Sequence, residues 1–285
     1  MILIAESGST KTDWVAFSNN SNRDVKISTA GFNPHILTTS DIGKQLFQSQ
    51  ELKKLVPQVK KIYFYGAGCS SASMKKVVKD AIRTLFPTAT IEVNHDLEAA
   101  VRGTWDGNPA ITSILGTGSN CCYFDGKTIT QTKPSLGYLL GDEGSGNNIG
   151  GKLYKAIVYG EAKQDLENAF FKEFDFGRSE MVTLLYSKEK PNEFLASFMP
   201  FIKTNSDIPF INTIIKESFT SFIKTHIKAI KNYQNVKCHF IGSVAWHFQK
   251  ELKEVLSKEK IQIGEILISP LNDLVEYHKR QNIRL

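Results

Sequence analysis

A short glycine-rich segment with polar side chains interrupts two runs of strand-forming residues. It reads Gly116-Thr117-Gly118-Ser119-Asn120, and its flanks predict a β-hairpin. Because glycine has no Cβ, backbone N–H groups here can approach a bulky anion closely, and the hydroxyl and amide side chains add polar contacts. The segment has the chemistry of a phosphate-binding loop. A tight hairpin followed by a turn-rich connection explains the same residues.

A second glycine-rich segment carries two carboxylates. Asp142 and Glu143 lie among Gly141, Gly144 and Gly146, before a helix predicted to start near Ile149. A solvated loop needs neither this glycine density nor two fixed carboxylates, so the segment is a candidate part of a site.

The amino terminus repeats the first pattern. An apolar strand from Met1 leads into the turn Ser7–Thr12, and a second strand follows to Phe17. Two such hairpins roughly a hundred residues apart predict a duplicated domain whose two phosphate-binding loops face one cleft.

Further elements place a carboxylate between the two hairpins. A strand at Lys61–Tyr65 enters a glycine turn and a helix predicted over 72–86, and a strand from Thr90 leads to Asp96 and a helix over 97–102. An Asp at this position is also an ordinary helix N-cap. A helix is predicted from Asp41 to Leu55.

The later chain is mainly helical from 152 to 257 and ends in two more strands. Cys238–Ile241 is a predicted strand that opens through Gly242 and Ser243 into a helix, and a last strand is predicted over 266–270. The polar turn at 106–109 predicts domains over 1–107 and 108–270, with a helix over 271–285 that packs back on the first domain.

Composition limits the function classes. The 285 residues carry a net charge of +6, with lysines spread over helical stretches and without aromatic interleaving, so no nucleic-acid partner is expected. The four cysteines form no CxxC pair and predict buried free thiols. With neither a signal peptide nor a membrane-length apolar run, the expected location is the cytoplasm.

Four motifs together resemble the N-acetylglucosamine kinases and the wider BadF/BadG-type ATPases of the actin, Hsp70 and sugar-kinase superfamily. They read ESGSTKTDW, GTGSNC, LGYLLGDEGSG and CHFIGSVAWHF, and the resemblance runs from Ile2 to about Asn272. It implies two ribonuclease H-like (actin-like ATPase) α/β domains. Each has a mixed sheet flanked by helices, and the active site lies in the interdomain cleft.

The resemblance also implies roles for individual residues. Those assigned to the phosphates and adenosine of ATP are Gly8, Ser9, Thr10, Lys11, Thr12, Gly116, Thr117, Gly118, Ser119, Gly242 and Ser243. Those assigned to the sugar are Asn33, Asp96, Ser119, Asn120, Leu136, Gly137, Asp142 and Glu143. Glu6 and Asp142 are assigned to Mg²⁺, and Asp96 is the general base for the attacking hydroxyl. Purely structural roles stay open for two of these residues: Asn33 can form a turn before Pro34, and Lys11 can be a surface lysine.

The implied activity is ATP- and Mg²⁺-dependent phosphorylation of an amino sugar, with N-acetylglucosamine as the first candidate. The implied partners are the sugar and ATP, and a homodimer is allowed. Two departures matter: Glu6 replaces the usual Asp, and Leu136 replaces a Trp. Two alternatives stay open: a BadF-type activator with a cysteine-ligated iron–sulfur cluster, and a nucleotide-dependent regulatory protein without catalysis, which the Glu6 change keeps open.

Overall fold

The computed structural model describes residues 1–8, 10–18 and 24–282, so Ser9 of the first hairpin and the last three residues of the predicted C-terminal helix lie outside the described residues. The chain divides into two compact units. Unit 1 comprises residues 1–105 together with the C-terminal segment from Ser269, and unit 2 comprises Asp106–Ile268.

Ten strands and thirteen α-helices are found in the described residues. The strands are β1 (Ile2–Ser7), β2 (Lys11–Phe17), β3 (Val25–Ala30), β4 (Lys61–Gly66), β5 (Thr90–His95), β6 (Ala110–Leu115), β7 (Ser119–Phe124), β8 (Ile129–Thr130), β9 (Lys237–Ile241) and β10 (Gln262–Leu267). The helices are α1 (Thr39–Gln48), α2 (Gln50–Leu55), α3 (Ala72–Leu85), α4 (Asp96–Thr104), α5 (Gly146–Tyr159), α6 (Gln164–Glu173), α7 (Met181–Tyr186), α8 (Pro191–Ala196), α9 (Met199–Thr204), α10 (Pro209–Phe222), α11 (Ser243–His247), α12 (Gln249–Lys258) and α13 (Leu271–Asn282).

Each unit is built on a five-stranded mixed sheet, and the two sheets have the same topology. The first has the order β3-β2-β1-β4-β5, and the second has β8-β7-β6-β9-β10. In both, the first three strands are antiparallel neighbours, and the later pairs are parallel. Parallel pairs need crossover helices, which α3 provides in unit 1. The predicted duplicated α/β architecture is confirmed.

Three predicted boundaries were wrong for local reasons. The helix predicted over 41–55 is two helices, because the Ser49 side chain caps α2 by accepting a hydrogen bond from the Leu52 N–H. Helix α5 starts at Gly146 rather than near Ile149, with Ser145 as its N-cap. The last strand ends at Leu267, earlier than predicted, because Ser269 and Pro270 already lead into α13.

The sheet of unit 1 buries apolar side chains on both faces. One face carries Trp14, Phe32 and Phe64 with residues of α1 and α3. The other packs Ile4 and Val15 against α13 residues, including Leu274. Since strand side chains alternate between faces, consecutive residues of β1 and β2 serve both cores.

The core of unit 2 is rich in phenylalanine. Its members, which include Phe170, Phe198, Phe201, Phe219 and Phe222, pack with the helices that follow β8. The prediction that the phenylalanines of this region are mainly core residues is confirmed for these five. Within the described residues, none of the helices combines the length and the apolar character needed to span a bilayer.

Candidate active site

Carboxylates gather at one end of the first hairpin. Glu6 on β1 stands directly opposite Asp13 on β2, so two carboxylates face each other across the strand pair. Burial raises the pKa of Glu6 to about 7, with further contributions from the charges of Asp96 and Asp13. The Ser269 hydroxyl, 3.4 Å from Glu6 Oε2, opposes this rise.

The turn of this hairpin is braced by hydroxyl groups. The Ser7 and Thr12 hydroxyl oxygens are 2.7 Å apart, and Thr12 donates to the Ala30 carbonyl at 3.0 Å. The backbone N–H of Gly8 donates to the Lys11 carbonyl at 2.9 Å. Thr12 is fully buried, so its side chain serves the hairpin itself. The ammonium group of Lys11 is mostly exposed and lies 2.7 Å from Asp13.

Asp96 occupies the junction of β5 and α4. Its Oδ1 accepts a hydrogen bond from the Leu97 N–H at 2.8 Å and lies 2.9 Å from Nδ1 of His95. Burial disfavours the imidazolium of His95, but the hydrogen bond to Asp96 and the charges of Asp96 and Glu98 outweigh it and raise the pKa of His95. Both contacts of Asp96 fall on Oδ1, and its side chain is 20% exposed, so Oδ2 can meet a ligand.

Asn33 forms a turn and also lies against a glycine. Its Oδ1 accepts a hydrogen bond from the His35 N–H at 3.0 Å. Gly68 has φ +76°, and a Cβ at this position would lie 2.9 Å from Asn33 Oδ1. Asn33 therefore forms a turn and also lies beside the glycine turn that follows β4.

In unit 2, Asp142 holds the second hairpin. Its Oδ1 accepts from the Ser119 N–H at 3.3 Å and lies 3.4 Å from the Ser135 hydroxyl, and its Oδ2 accepts from the Asn147 amide at 2.8 Å. A Cβ on Gly118 would lie 2.9 Å from the same carboxylate. Gly118 thus permits the close approach of Asp142 to the turn.

Two more segments contact this turn. The N–H of Gly146, at the start of α5, donates to the Gly116 carbonyl at 2.8 Å, and the N–H of Asn147 donates to the Thr117 carbonyl at 3.1 Å. Gly242, with φ +117°, approaches from β9, where a Cβ would lie 2.4 Å from the Leu115 carbonyl oxygen. The hairpin, the acidic loop and the late glycine turn therefore meet within unit 2, with Ser243 beginning α11 there.

Two predicted sugar contacts sit beside this turn. The Ser119 hydroxyl is buried and has no hydrogen-bond partner in the described part of the chain, which is the condition of a group that a ligand would satisfy. Asn120 Oδ1 accepts from the Gln131 amide at 2.7 Å and from the Cys121 N–H at 3.0 Å. The other predicted contacts, Leu136 at 58% exposure and Gly137 at φ +70°, belong to an open turn.

Glu143 contacts a histidine that sequence reasoning missed. Its Oε2 lies 3.3 Å from Nε2 of His226, which is 5% exposed. A lone histidine in an apolar helix carries no motif, so only the tertiary contact identifies it. Asp13 and Ser269 were missed in the same way, because their partner Glu6 is a neighbour in space.

No preformed metal cluster of three or more His, Cys, Asp or Glu residues occurs in residues 1–8, 10–18 and 24–282. The four cysteines are buried, and none of them is in a disulfide bond. Burial raises the pKa of Cys69 and of Cys121 to about 12, so both remain protonated thiols at neutral pH.

Two repeats of this topology, each with a glycine hairpin between its first two strands, are the architecture of actin-like ATPases. No family model matches the chain. A crystal structure of a candidate N-acetylglucosamine kinase from Porphyromonas gingivalis superimposes with a TM-score of 0.91 at 35% identity, covering 99% of this chain and 100% of that one. A glucokinase of the ROK family from Streptomyces griseus, solved with glucose and AMPPNP, has a TM-score of 0.58 at 12% identity over 98% and 99% of the two chains, and shares the fold.

A curated relative matches over a shorter stretch. The N-acetylmuramic acid/N-acetylglucosamine kinase of Clostridium acetobutylicum is 36% identical over 92 residues, which is 32% of this chain and 30% of that relative. The chain belongs to the family of sugar kinases, within the actin-like ATPase superfamily, that includes the P. gingivalis protein. The resemblance, the fold class and the enzyme class of sugar-kinase phosphotransferase are thereby confirmed. Membership of this family favours the function of a sugar kinase over that of an iron–sulfur activator.

Proposed function

We propose that the protein transfers the γ-phosphoryl group of ATP to a hydroxyl of an amino sugar, with N-acetylglucosamine as the first candidate. The observation that carries the proposal is the electrostatic coupling of Asp96 to Glu6 in unit 1, where burial and two neighbouring carboxylates raise the pKa of Glu6 to about 7. Such a group of carboxylates is suited to a cation and to a hydroxyl that must lose its proton.

Asp96 is the proposed general base. Its Oδ1 is held by the Leu97 N–H and by His95, which fixes the carboxylate at the start of α4. Oδ2 then accepts the proton of the attacking hydroxyl as its oxygen bonds to the γ-phosphorus, while the bond from that phosphorus to the bridging oxygen breaks and ADP leaves. Phosphoryl transfer depends mainly on positioning and on neutralising charge, and a base fixed in this way meets the first requirement.

The residues present also fit Mg²⁺. The ion takes oxygen ligands and commonly uses only one or two carboxylates with waters and substrate phosphates, so a preformed cluster of three side chains is not needed. Glu6 is the proposed carboxylate in unit 1, where a cation would offset the neighbouring negative charges. Asp142 is the second proposed ligand, although its oxygens already accept hydrogen bonds from the hairpin and α5. When bound, Mg²⁺ neutralises charge on the phosphates.

The two hairpin turns are the proposed phosphate-binding elements. Gly116 has no atom within 4 Å of the position where a Cβ would lie, so its surroundings leave room for a bulky anion. Gly242 and Ser243, against the same hairpin, are proposed to contact the adenosine. Gly8, Thr10 and Lys11 are the proposed phosphate contacts of the first hairpin, while the buried Thr12 braces it.

The proposed acceptor follows from the names of the relatives. The P. gingivalis protein is a candidate N-acetylglucosamine kinase, and the C. acetobutylicum relative acts on N-acetylmuramic acid and N-acetylglucosamine. Asn33, Ser119 and Asn120 are proposed to bind the sugar, with the Ser119 hydroxyl supplying a buried group that needs a partner. The exposed Leu136 is an apolar surface on which an acetamido methyl group could rest.

The test is an ADP-release assay with ATP and Mg²⁺ that compares N-acetylglucosamine, N-acetylmuramic acid, glucosamine and glucose. Asp96→Asn should lower sugar-dependent kcat by roughly 10²- to 10⁴-fold, because the amide cannot accept the proton. Asp80→Asn is the matched control, since Asp80 pairs with Lys76 on the surface of α3.

Each outcome has a distinct meaning. ADP release that depends on N-acetylglucosamine, is lost in Asp96→Asn and is kept in Asp80→Asn supports the proposal. ATP binding without turnover for any of the four sugars contradicts it and favours the regulatory alternative. An Asp96→Asn variant with unchanged kcat removes Asp96 from the role of base.

A further inference from the structure

A π-helical turn presents a buried histidine to the acidic loop of unit 2. Residues Ile223–Ile227 continue α10 as a π helix, a rare conformation that often occurs at functional sites. His226 lies in this turn, with its ring 5.1 Å from that of Phe222. Its Nε2 lies 3.3 Å from Glu143 Oε2.

The same helix end contacts the loop at a second point. Gly144 has φ +74°, and a Cβ there would lie 3.0 Å from Cβ of Phe222. Lys152 of α5 also lies near Glu143. Burial lowers the pKa of Lys152, although the charges of Glu217 and Glu143 oppose this effect. The loop is therefore held both by the packing of Gly144 against Phe222 and by the polar contact of Glu143 with His226.

Asp142 directly precedes Glu143 in this loop, and its backbone is strained. Its φ of +57° lies in the left-handed region, which non-glycine residues adopt at a cost that the surrounding structure must offset. This conformation lets adjacent side chains serve different partners. Asp142 reaches Ser119 and Asn147, while Glu143 reaches His226.

We propose that His226 is a positioning residue of the phosphoryl-transfer site. By donating a hydrogen bond from Nε2 to Glu143 it holds the strained backbone of Asp142, and thereby keeps the Asp142 carboxylate against the turn at 116–119. The catalytic part of this inference rests on the proposed function. The structural part, which links His226 to the hairpin, does not.

The test compares three variants of the whole protein. His226→Leu removes the donor, and His226→Gln keeps an N–H donor near the position of Nε2. His239→Leu is the matched control: His239 is also a buried histidine of unit 2, but it accepts a hydrogen bond from the Glu265 N–H at the irregular pairing of β9 and β10. Two quantities are measured: amide hydrogen exchange in peptides that cover 115–121 and 141–147, and kcat and KM for ATP and for the sugar.

For His226→Leu we expect the exchange protection of the Ser119 amide to fall by about tenfold or more, since this N–H donates to Asp142. We expect kcat/KM for ATP to fall by roughly 10- to 100-fold at temperatures well below the unfolding transition. His226→Gln should recover most of both losses. His239→Leu should lower the melting temperature while leaving the Ser119 amide and kcat unchanged.

Equal exchange at Ser119 in His226→Leu and His239→Leu overturns the inference whether or not the protein has kinase activity. Loss of Ser119 protection with unchanged kcat in an active enzyme overturns the catalytic part. If the wild type lacks sugar-dependent turnover, the proposed function fails, and the exchange data still decide whether His226 holds the hairpin.

Discussion

The carboxyl group of Glu6 shows how a single residue of this protein depends on its neighbours. Its pKa rises to about 7 because it is buried and because Asp96 and Asp13 repel its charge. Between pH 4.5 and pH 7 the unfolded chain has released this proton while the folded chain still holds it. The contribution of Glu6 to stability is thus fully present below pH 4.5 and is lost as the pH rises through 7.

Glu6→Gln should therefore stabilise the metal-free protein at pH 8 and change its stability less at pH 4.5. The expected gain at pH 8 is about 1–3 kcal/mol, since each pKa unit corresponds to about 1.4 kcal/mol. Thermal unfolding at both pH values measures it, with Glu173→Gln, at the exposed end of α6, as the control. Equal shifts in melting temperature at the two pH values would contradict the raised pKa.

Two features of the structure, one conformational and one steric, require glycine at position 242. Its φ of +117° disfavours any L side chain, and a Cβ would lie 2.4 Å from the Leu115 carbonyl oxygen. Gly126 has a similar φ of +97° but nothing within 4 Å of its Cβ position. Comparing substitutions at Gly242 and Gly126 therefore separates the effect of backbone strain from the effect of a steric clash.

Gly242→Ala should destabilise the protein by about 2–4 kcal/mol, combining strain with overpacking at the hairpin. Gly126→Ala should cost only about 1–2 kcal/mol, because strain acts alone. Chemical denaturation of both variants measures the difference. A Gly242→Ala variant as stable as Gly126→Ala would refute the close approach of Gly242 to Leu115.

At the level of elements, α13 is joined to the sheet of unit 1 through a buried polar network. Tyr65 on β4 donates a hydrogen bond to Nε2 of His278 at 2.7 Å, and Arg102 of α4 donates to the same tyrosine hydroxyl. Burial lowers the pKa of His278 to about 3, with the charges of Arg102 and Lys61 adding to the effect. The helix that begins with Asp96 and the C-terminal helix thus share one network.

This network predicts acid lability. Between pH 6.5 and pH 3 the unfolded chain binds a proton at His278 that the folded chain does not, so stability falls as the pH drops through this window, by up to about 1.4 kcal/mol per pH unit. His278→Gln should flatten this dependence, because its amide oxygen can accept from Tyr65 without titrating. Denaturation at pH 7, 6, 5 and 4 measures the slopes.

His35→Gln, at an exposed turn residue, is the control for the loss of a histidine. If His278→Gln keeps the wild-type dependence on pH, His278 does not determine the acid lability of unit 1.

At the scale of the whole molecule, unit 1 is assembled from two segments that lie on either side of unit 2 in the sequence. The segment from Ser269 belongs to the same unit as residues 1–105, and Leu274 is fully buried with Ile4, Val15 and Tyr63. The apolar face of the first sheet is therefore completed only by residues that follow unit 2 in the sequence.

Leu274→Ala should consequently destabilise unit 1 by about 2–5 kcal/mol, the usual cost of a large-to-small substitution in a core. Limited proteolysis should show cleavage within 1–105 before cleavage within unit 2. Leu139→Ala, at a residue 77% exposed, is the control and should leave the digestion pattern unchanged. Preferential cleavage within unit 2 would contradict this assignment of the C-terminal helix.

The sequence by itself determined the elements whose signals are local. Glycine turns between strand-forming runs predicted both hairpins, and their repetition predicted the duplicated fold, because turn geometry and alternation depend on neighbouring residues. Asp96 was predicted to follow a strand and start a helix, and it does so. The four motifs that indicated the family are likewise short runs of neighbouring residues, which can be recognised without the structure.

Only the tertiary structure decided which side chains meet across those elements. The repulsion between Glu6 and Asp13 depends on strand register, and the contact of Glu143 with His226 joins residues 83 positions apart. The burial that moves the pKa values of Glu6 and His278 exists only in the folded chain, because desolvation and charge–charge interactions depend on distance in space and not on separation along the chain.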